Sequence, residues 1–124
     1  MFDHISLKVR NFHESLSFYR AALAPLGFEA QYVDDDGKSA GFGPKNAVAF
    51  WIGEGAAPSN AHVAFATASR KAVRGFHEAG LKAGARDNGK PGIRADYASD
   101  YYAAFLFDPD GNNIEVVSHG AGGE

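Results

Sequence analysis

The order of the predicted strands and helices repeats once along the chain, and this repeat restricts the fold more than any other feature of the sequence. Residues 4–10 alternate between polar and apolar side chains, as in a strand with one buried face, and a helix with Asn11 as its N-cap follows. Three strands come next, at 28–33, 39–42 and 47–52. The same order then starts again with a strand at 62–66, a helix, a short strand within 84–101, and strands at 102–107 and 112–117. The chain therefore contains two predicted βαβββ units.

We expect the two units to form a single domain spanning residues 1–124. A chain of 124 residues can bury one hydrophobic core but not two independent ones. Unit one covers about 1–53 and unit two about 60–119, and a segment rich in Gly, Ala, Pro and Ser joins them. Strands and helices in this order predict the α+β class.

Composition and charge exclude several functional classes. The chain has no cysteine, so a metal site would have to use His, Asp or Glu. A net charge of -3 without a basic run disfavours nucleic acid as a partner. No apolar stretch is long enough to cross a membrane, and the N-terminal residues lack the features of a targeting segment, so we expect a cytoplasmic protein.

Four short strings carry a resemblance to a known family. They are Asp3-His4-Ile5 at the first strand, Ser15 to Tyr19 in the first helix, His62 to Phe65 at the start of unit two, and Phe107 to Glu115 near the end. In these strings the sequence resembles the vicinal oxygen chelate superfamily, which contains glyoxalase I, extradiol dioxygenases, fosfomycin-resistance enzymes and bleomycin-resistance proteins. The last string, with its Asp-Pro-Asp-Gly turn between two strands, is the most specific. The resemblance covers essentially the whole chain.

The resemblance implies both a fold and an assembly. Two βαβββ units are expected to form a curved mixed sheet around a cavity, with the helices on its outer face. Such folds are often homodimers, and their units pair either within one chain or between two chains. The sequence leaves these two possibilities open.

The resemblance also implies a metal site formed by His4, His62 and Glu115. Each residue lies on the strand face opposite its aliphatic neighbours, so all three point away from the layer that a helix would cover. Two imidazoles and a carboxylate suit one divalent ion, either iron(II), manganese, zinc, nickel or cobalt. His13, His77 and His119, on the helices and the C-terminal tail, are not expected to bind metal.

A fourth ligand, which glyoxalase I carries on the last strand of its first unit, has no counterpart here. That strand reads Ala47 to Ile52 and has no ligand-type side chain. Aligning the two units through their prolines places Phe50 opposite Glu115, whereas aligning them through their asparagines places Ala49 there. A site with three protein ligands is therefore expected, which argues against glyoxalase activity.

Candidates for substrate contacts and proton transfer come from aromatic residues and one arginine. Phe50, Trp51 and Tyr97 could line the cavity, and Arg94 could contact an anionic substrate. Tyr101 and Tyr102 are the catalytic candidates, and they face opposite sides of their strand, so only one can reach the cavity.

Two functions of different classes agree with these features. The first is a metal-dependent small-molecule enzyme, either a lyase, isomerase, transferase or dioxygenase, whose metal chelates two vicinal oxygens of the substrate. The second is a non-catalytic, bleomycin-resistance-like protein that binds a drug or metabolite in the same cavity. The complete set of three ligands favours the enzyme, and the substrate stays open.

Overall fold

A computed structural model describes residues 1–120, and residues 121–124, at the end of the expected domain, lie outside the described residues. The chain forms β1 (Ile5–Val9), α1 (Phe12–Leu23), β2 (Glu29–Asp34), β3 (Ser39–Gly43), β4 (Phe50–Glu54), β5 (His62–Ala66), α2 (Arg70–Lys82), β6 (Arg86–Ile93), β7 (Tyr102–Phe107) and β8 (Asn113–Ser118), with a 3-10 turn at Ala24–Leu26. This order confirms the predicted repeat of βαβββ and the α+β class.

Each unit forms its own four-stranded mixed sheet. The strand orders are β1-β4-β3-β2 and β5-β8-β7-β6. In both sheets the first strand runs parallel to the last strand of its unit, because a helix carries the chain across between them. All other neighbouring strands are antiparallel and are joined by short loops.

Both helices begin at the residues that local chemistry favours. The Asn11 side chain accepts a hydrogen bond from the backbone N–H of Glu14 at 3.0 Å, as the predicted N-cap requires. Ser69 caps α2 in the same way, at 3.1 Å from the backbone N of Ala72. Neither helix is long and apolar enough to cross a lipid bilayer, and the same holds for every helix in residues 1–120.

The helices cover one face of each sheet and join the two units. They pack against each other and against the strands of their own units. Leu7 of β1 and Ile114 of β8 are buried on these helix-covered faces. Phe50 of β4 contacts Phe65 of β5, with ring centroids 5.3 Å apart, so the helix-covered sides of both sheets contribute to one core. We call the opposite sides of the two sheets the open faces.

The turn between β7 and β8 connects the units a second time. The buried Asp108 carboxylate accepts hydrogen bonds from the backbone N–H groups of Asp110 and Asn112, at 3.0 and 2.8 Å, and from the Asn112 side chain at 2.9 Å. It also accepts a bond of 2.5 Å from the hydroxyl of Tyr19, on α1. Burial and the charge of Asp108 raise the pKa of Tyr19 well above its ordinary value, so this hydroxyl stays a donor. The Asp-Pro-Asp-Gly string therefore has a structural role.

Candidate metal centre

The parallel pair of β5 and β8 brings two of the three predicted ligands together. Ala64 of β5 lies opposite Glu115 of β8, and His62 shares the face of Ala64. The Nε2 atom of His62 is 2.7 Å from Oε1 of Glu115. The Glu115 side chain is 2% exposed and that of His62 is 54% exposed, so the carboxylate lies beneath the imidazole on the open face of unit two.

Tyr101 contacts the other oxygen of Glu115. Its hydroxyl donates a hydrogen bond to Oε2. Burial, together with the hydrogen bond to Glu115 and the charge of this carboxylate, raises the pKa of Tyr101 to about 12. Tyr102 faces α2 instead, and its ring lies 4.9 Å from the guanidinium carbon of Arg70. Of the two catalytic candidates, Tyr101 is therefore the one beside the predicted ligands.

His4 lies on the open face of unit one. Its side chain is 54% exposed, and its Nδ1 atom is 2.7 Å from the carboxylate of Asp3. It borders a groove of about 490 Å³ whose lining residues all belong to unit one. Within residues 1–120, no three His, Asp or Glu side chains are grouped closely enough to hold one metal ion. One chain thus pairs His62 with Glu115 without bringing His4 to them.

The strand register identifies Trp51 as the counterpart of Glu115 in unit one. Ser6 of β1 lies opposite Trp51, as Ala64 of β5 lies opposite Glu115. This corrects the two sequence alignments, which placed Phe50 or Ala49 at that position. Trp51 pairs with Gly41 and Glu115 pairs with Phe105, in each case ten positions earlier, so the two hairpins have equal lengths. The prolines and asparagines used for the alignments do not occupy equivalent positions in the two turns, and an error of one residue exchanges the faces of a strand. An indole ring therefore occupies the position of a fourth ligand.

The two aromatic candidates on β4 point to opposite faces. Phe50 is 1% exposed and its ring packs 4.9 Å from that of Tyr19, which assigns Phe50 to the core. Trp51 lines the groove beside His4. Its ring covers Gly41 of β3, where an added Cβ atom would be 2.9 Å from Cζ3 of the indole. Cγ1 of Val48 would be nearer still, at 2.6 Å, so the absence of a side chain at Gly41 makes room for Trp51 and Val48.

The other two candidates for substrate contacts border Tyr101 and Glu115. The guanidinium of Arg94 donates to two carbonyl oxygens of β6, at 2.7 and 2.9 Å, and stacks on the ring of Phe105 at 5.2 Å. Phe105 lies directly opposite Glu115 in the pair of β7 and β8. Tyr97 is 65% exposed, and its ring packs edge-on against Tyr101 at 4.9 Å. Arg94 and Tyr97 thus belong to the open face of unit two.

Two of the remaining histidines lie on the helices, away from the open faces. The Nε2 atom of His13 on α1 is 3.6 Å from the carboxylate of Asp35. The Nε2 atom of His77 on α2 is 2.8 Å from that of Asp87. This hydrogen bond, with a second from the backbone N–H of Gly89, lowers the pKa of Asp87. Their contacts therefore support a structural role for both histidines.

Sequence analysis missed three residues near the predicted ligands. The ring of His119 packs edge-on against Tyr101, with centroids 5.2 Å apart, although the sequence suggested only a tail residue. Ser6 and Lys8 line the groove beside His4. Strand alternation could have identified all three residues. His119 is an even number of positions from Glu115, and Ser6 and Lys8 are an even number of positions from His4, so each would share the face of that ligand.

The donor atoms of the pair on unit two fit a divalent metal. Within residues 1–120, His62 is the only side chain that forms an ion pair with the buried Glu115 carboxylate. A buried carboxylate needs a compensating charge or hydrogen bonds, and an ion would supply such a charge. Two adjacent ligands, each about 2.1 Å from an ion, lie about 3 Å apart, close to the 2.7 Å seen between His62 and Glu115. Small movements of these side chains would therefore accommodate an ion.

Comparisons with known proteins identify a matching family model and similar folds. A family model described as the Glyoxalase/Bleomycin resistance protein/Dioxygenase superfamily matches residues 1–116. A glyoxalase/bleomycin resistance protein from Albidiferax ferrireducens T118 superimposes with a TM-score of 0.82 and 28% identity, covering 96% of this chain and 99% of the other. A comparison with curated proteins finds no match.

Two more distant structures share the fold. A mutant of the fosfomycin resistance protein FosX from Listeria monocytogenes, complexed with Mn(II) and 1S,2S-dihydroxypropylphosphonic acid, has a TM-score of 0.68 and 18% identity, covering 97% of this chain and 90% of the other. A mutant of glyoxalase I from Zea mays has a TM-score of 0.69 and 18% identity, covering 97% of this chain and 46% of the other.

Proposed function

Since the chain belongs to the glyoxalase/bleomycin resistance protein/dioxygenase superfamily, we propose that it is a metal-dependent enzyme acting on a small molecule with two vicinal oxygens. The observation that supports this most directly is the buried Glu115 carboxylate paired with His62 on an open face. His4 supplies the third ligand. The ion, either iron(II), manganese, zinc, nickel or cobalt, would act as a Lewis acid that stabilises negative charge developing on a substrate oxygen.

His4 reaches the other ligands from a second copy of the chain. The groove of about 490 Å³ beside His4 has no lining residue from unit two. A smaller cavity of about 200 Å³ beside His4 is lined by residues 63–66 of β5, but neither His62 nor Glu115 lines it. The helix-covered sides of both sheets already share a core within one chain. The open faces are what remains for another copy to cover. Placing the open face of unit one against that of unit two in the partner gives a symmetric homodimer with two identical sites.

The protein side chains around the ion have separate roles. Tyr101 holds its proton at Oε2 of Glu115 and keeps this carboxylate oriented, which leaves Oε1 on the side of His62. Trp51 offers no ligand atom where glyoxalase I has one, so a coordination position stays available to the substrate. Arg94 and Tyr97 border the substrate on the side of unit two.

Replacing Tyr101 by phenylalanine should weaken metal binding about 10- to 100-fold, because Glu115 loses the hydrogen bond that orients it. Isothermal titration of the metal-free protein with zinc measures this change. Tyr97→Phe is the matched control, because it removes a nearby hydroxyl that has no hydrogen-bond partner among the described residues. Equal zinc affinities for Tyr101→Phe and the wild type would contradict the role given to Tyr101.

Elemental analysis of the purified protein tests the metal site itself. We expect about one ion per chain in the wild type and none in His62→Ala or Glu115→Ala, because each variant removes a ligand. His13→Ala is the control, since it removes an exposed imidazole on α1 and should retain the ion. Failure of the wild type to take up any of the five metals would reject the metal-dependent function.

One observation favours the non-catalytic alternative, a small-ligand or drug-binding protein resembling bleomycin-resistance proteins. Both oxygens of Glu115 already have hydrogen-bond partners within the chain, so the pair is satisfied without an ion. Trp51 is the only tryptophan and lies in the groove, so its fluorescence reports ligand binding directly. Metal-free protein that binds a bleomycin with a change in this fluorescence would support the alternative.

A further inference from the structure

We propose that Lys8 binds an anionic group of the substrate, so that the substrate carries a carboxylate or a phosphate at some distance from the oxygens that bind the metal. This inference rests on the proposed function, because the distance between the anionic group and the metal is measured from His4, the proposed third ligand. In this proposal the groove of unit one selects substrates by their charge, which the metal ligands do not do.

Lys8 lies on the same side of β1 as the predicted ligand. Ser6 and Lys8 alternate with the buried Leu7 and Val9. His4 has the same parity, and all three residues line the groove together with Trp51. Four residues of extended chain separate the Cα atoms of His4 and Lys8 by about 13 Å. One elongated molecule can therefore contact the metal at one end, cross the indole and reach the ammonium at the other.

The backbone of Lys8 is held in place. Its N–H donates to Oγ of Ser59 at 2.9 Å, and its carbonyl accepts from the N–H of Ser59 at 3.0 Å. The side chain crosses two glycines: a Cβ atom added at Gly55 would be 3.3 Å from Cδ of Lys8, and one added at Gly53 would be 3.8 Å from Nζ. The exposed side chain thus extends along two residues that have no side chains, and Lys8 and Gly53 both line the groove.

The charge of Lys8 is available to a ligand. Within residues 1–120, no carboxylate lies within 4.0 Å of its ammonium. Arg94 on the other open face differs, because its guanidinium already donates to two carbonyl oxygens of β6. Lysines on edge strands also discourage pairing with foreign strands. At Lys8, however, Ser59 already forms hydrogen bonds with the edge of β1, so protection of the edge does not explain why a lysine lies there.

Hydroxamates provide a test, because they bind a metal through two vicinal oxygens and can carry a variable tail. The probes are acetohydroxamate, the monohydroxamates of succinic, glutaric, adipic and suberic acids, their methyl esters, and phosphonate analogues of the same lengths. Binding to the zinc-loaded protein is followed by the fluorescence of Trp51. In the wild type, the best-fitting anionic tail should strengthen binding about tenfold over its ester.

The Lys8 variants separate the possible outcomes. Lys8→Met should abolish the advantage of the anionic tail and Lys8→Arg should keep it, while acetohydroxamate binds all three proteins equally. A gain limited to carboxylates or to phosphonates identifies the kind of anion and supports the proposal. Equal affinities of acids and esters in the wild type, or an undiminished advantage in Lys8→Met, would overturn it and leave the metal site intact. Absence of zinc and acetohydroxamate binding would reject the proposed function, and the role of Lys8 with it.

Discussion

Mixing His4→Ala chains with Glu115→Ala chains should restore metal binding that neither variant has alone. If each site takes His4 from one copy and His62 with Glu115 from the other, a heterodimer contains one site with both defects and one intact site. Purified heterodimers should then hold one ion per two chains. If a site were built within one chain, every site in the mixture would keep a defect and no ion would bind.

The experiment uses co-expressed chains with two different affinity tags, so that heterodimers are isolated before elemental analysis. A mixture of His62→Ala and Glu115→Ala is the matched control. Both substitutions fall in unit two, so each site of that heterodimer is defective and should stay empty. Heterodimers of His4→Ala and Glu115→Ala that form but bind no ion would refute the shared site, and with it the homodimer arrangement proposed here.

Asp108→Ala should destabilise the chain by about 3–5 kcal/mol. The substitution leaves the buried hydroxyl of Tyr19 and the amide groups of Asn112 without an acceptor, and each such loss costs about 1–3 kcal/mol. It also removes a contact between the helix of unit one and the last hairpin of unit two. The effect should exceed that of any single substitution on an exposed loop.

Urea unfolding followed by circular dichroism measures this loss, with the wild type in the same buffer as reference. Asp36→Ala is the control, because Asp36 is an exposed residue of the turn between β2 and β3 and should change stability by less than about 0.5 kcal/mol. Should Asp108→Ala not fold, Tyr19→Phe removes one of the same hydrogen bonds and gives a measurable, smaller loss. A change below about 1 kcal/mol for Asp108→Ala would show that the turn does not stabilise the junction of the units.

Local signals in the sequence were sufficient to predict most secondary structure. Strands 62–66 and 102–107 were predicted with the bounds that the structure shows, because alternation and flanking turn residues depend only on nearby positions. The cap of α1 at Asn11 was predicted for the same reason. His62 and Glu115 lie on two strands of the same unit. Strand alternation therefore predicted that both side chains point to the same face, where they pair.

Register and packing between units could not be predicted in this way. The prolines and asparagines of the two hairpins occupy different turn positions, so residue types alone do not reveal whether Phe50 or Trp51 faces the groove. The choice between Tyr101 and Tyr102 depended on which side of β7 the helix α2 covers. The position of His4 relative to Glu115 depends on how whole sheets assemble, which strand alternation does not encode.

The division of each sheet into a helix-covered face and an open face bears on how such a protein can diversify. His4, Lys8 and Trp51 lie on the open face of unit one, while the alternate positions of the same strands fill the core. A substitution on the open face changes ligand chemistry without requiring the core to repack. Under the proposed function, mutations in the groove of unit one can therefore change the substrate one residue at a time at little cost in folding stability, which makes this groove the natural starting point for directed evolution.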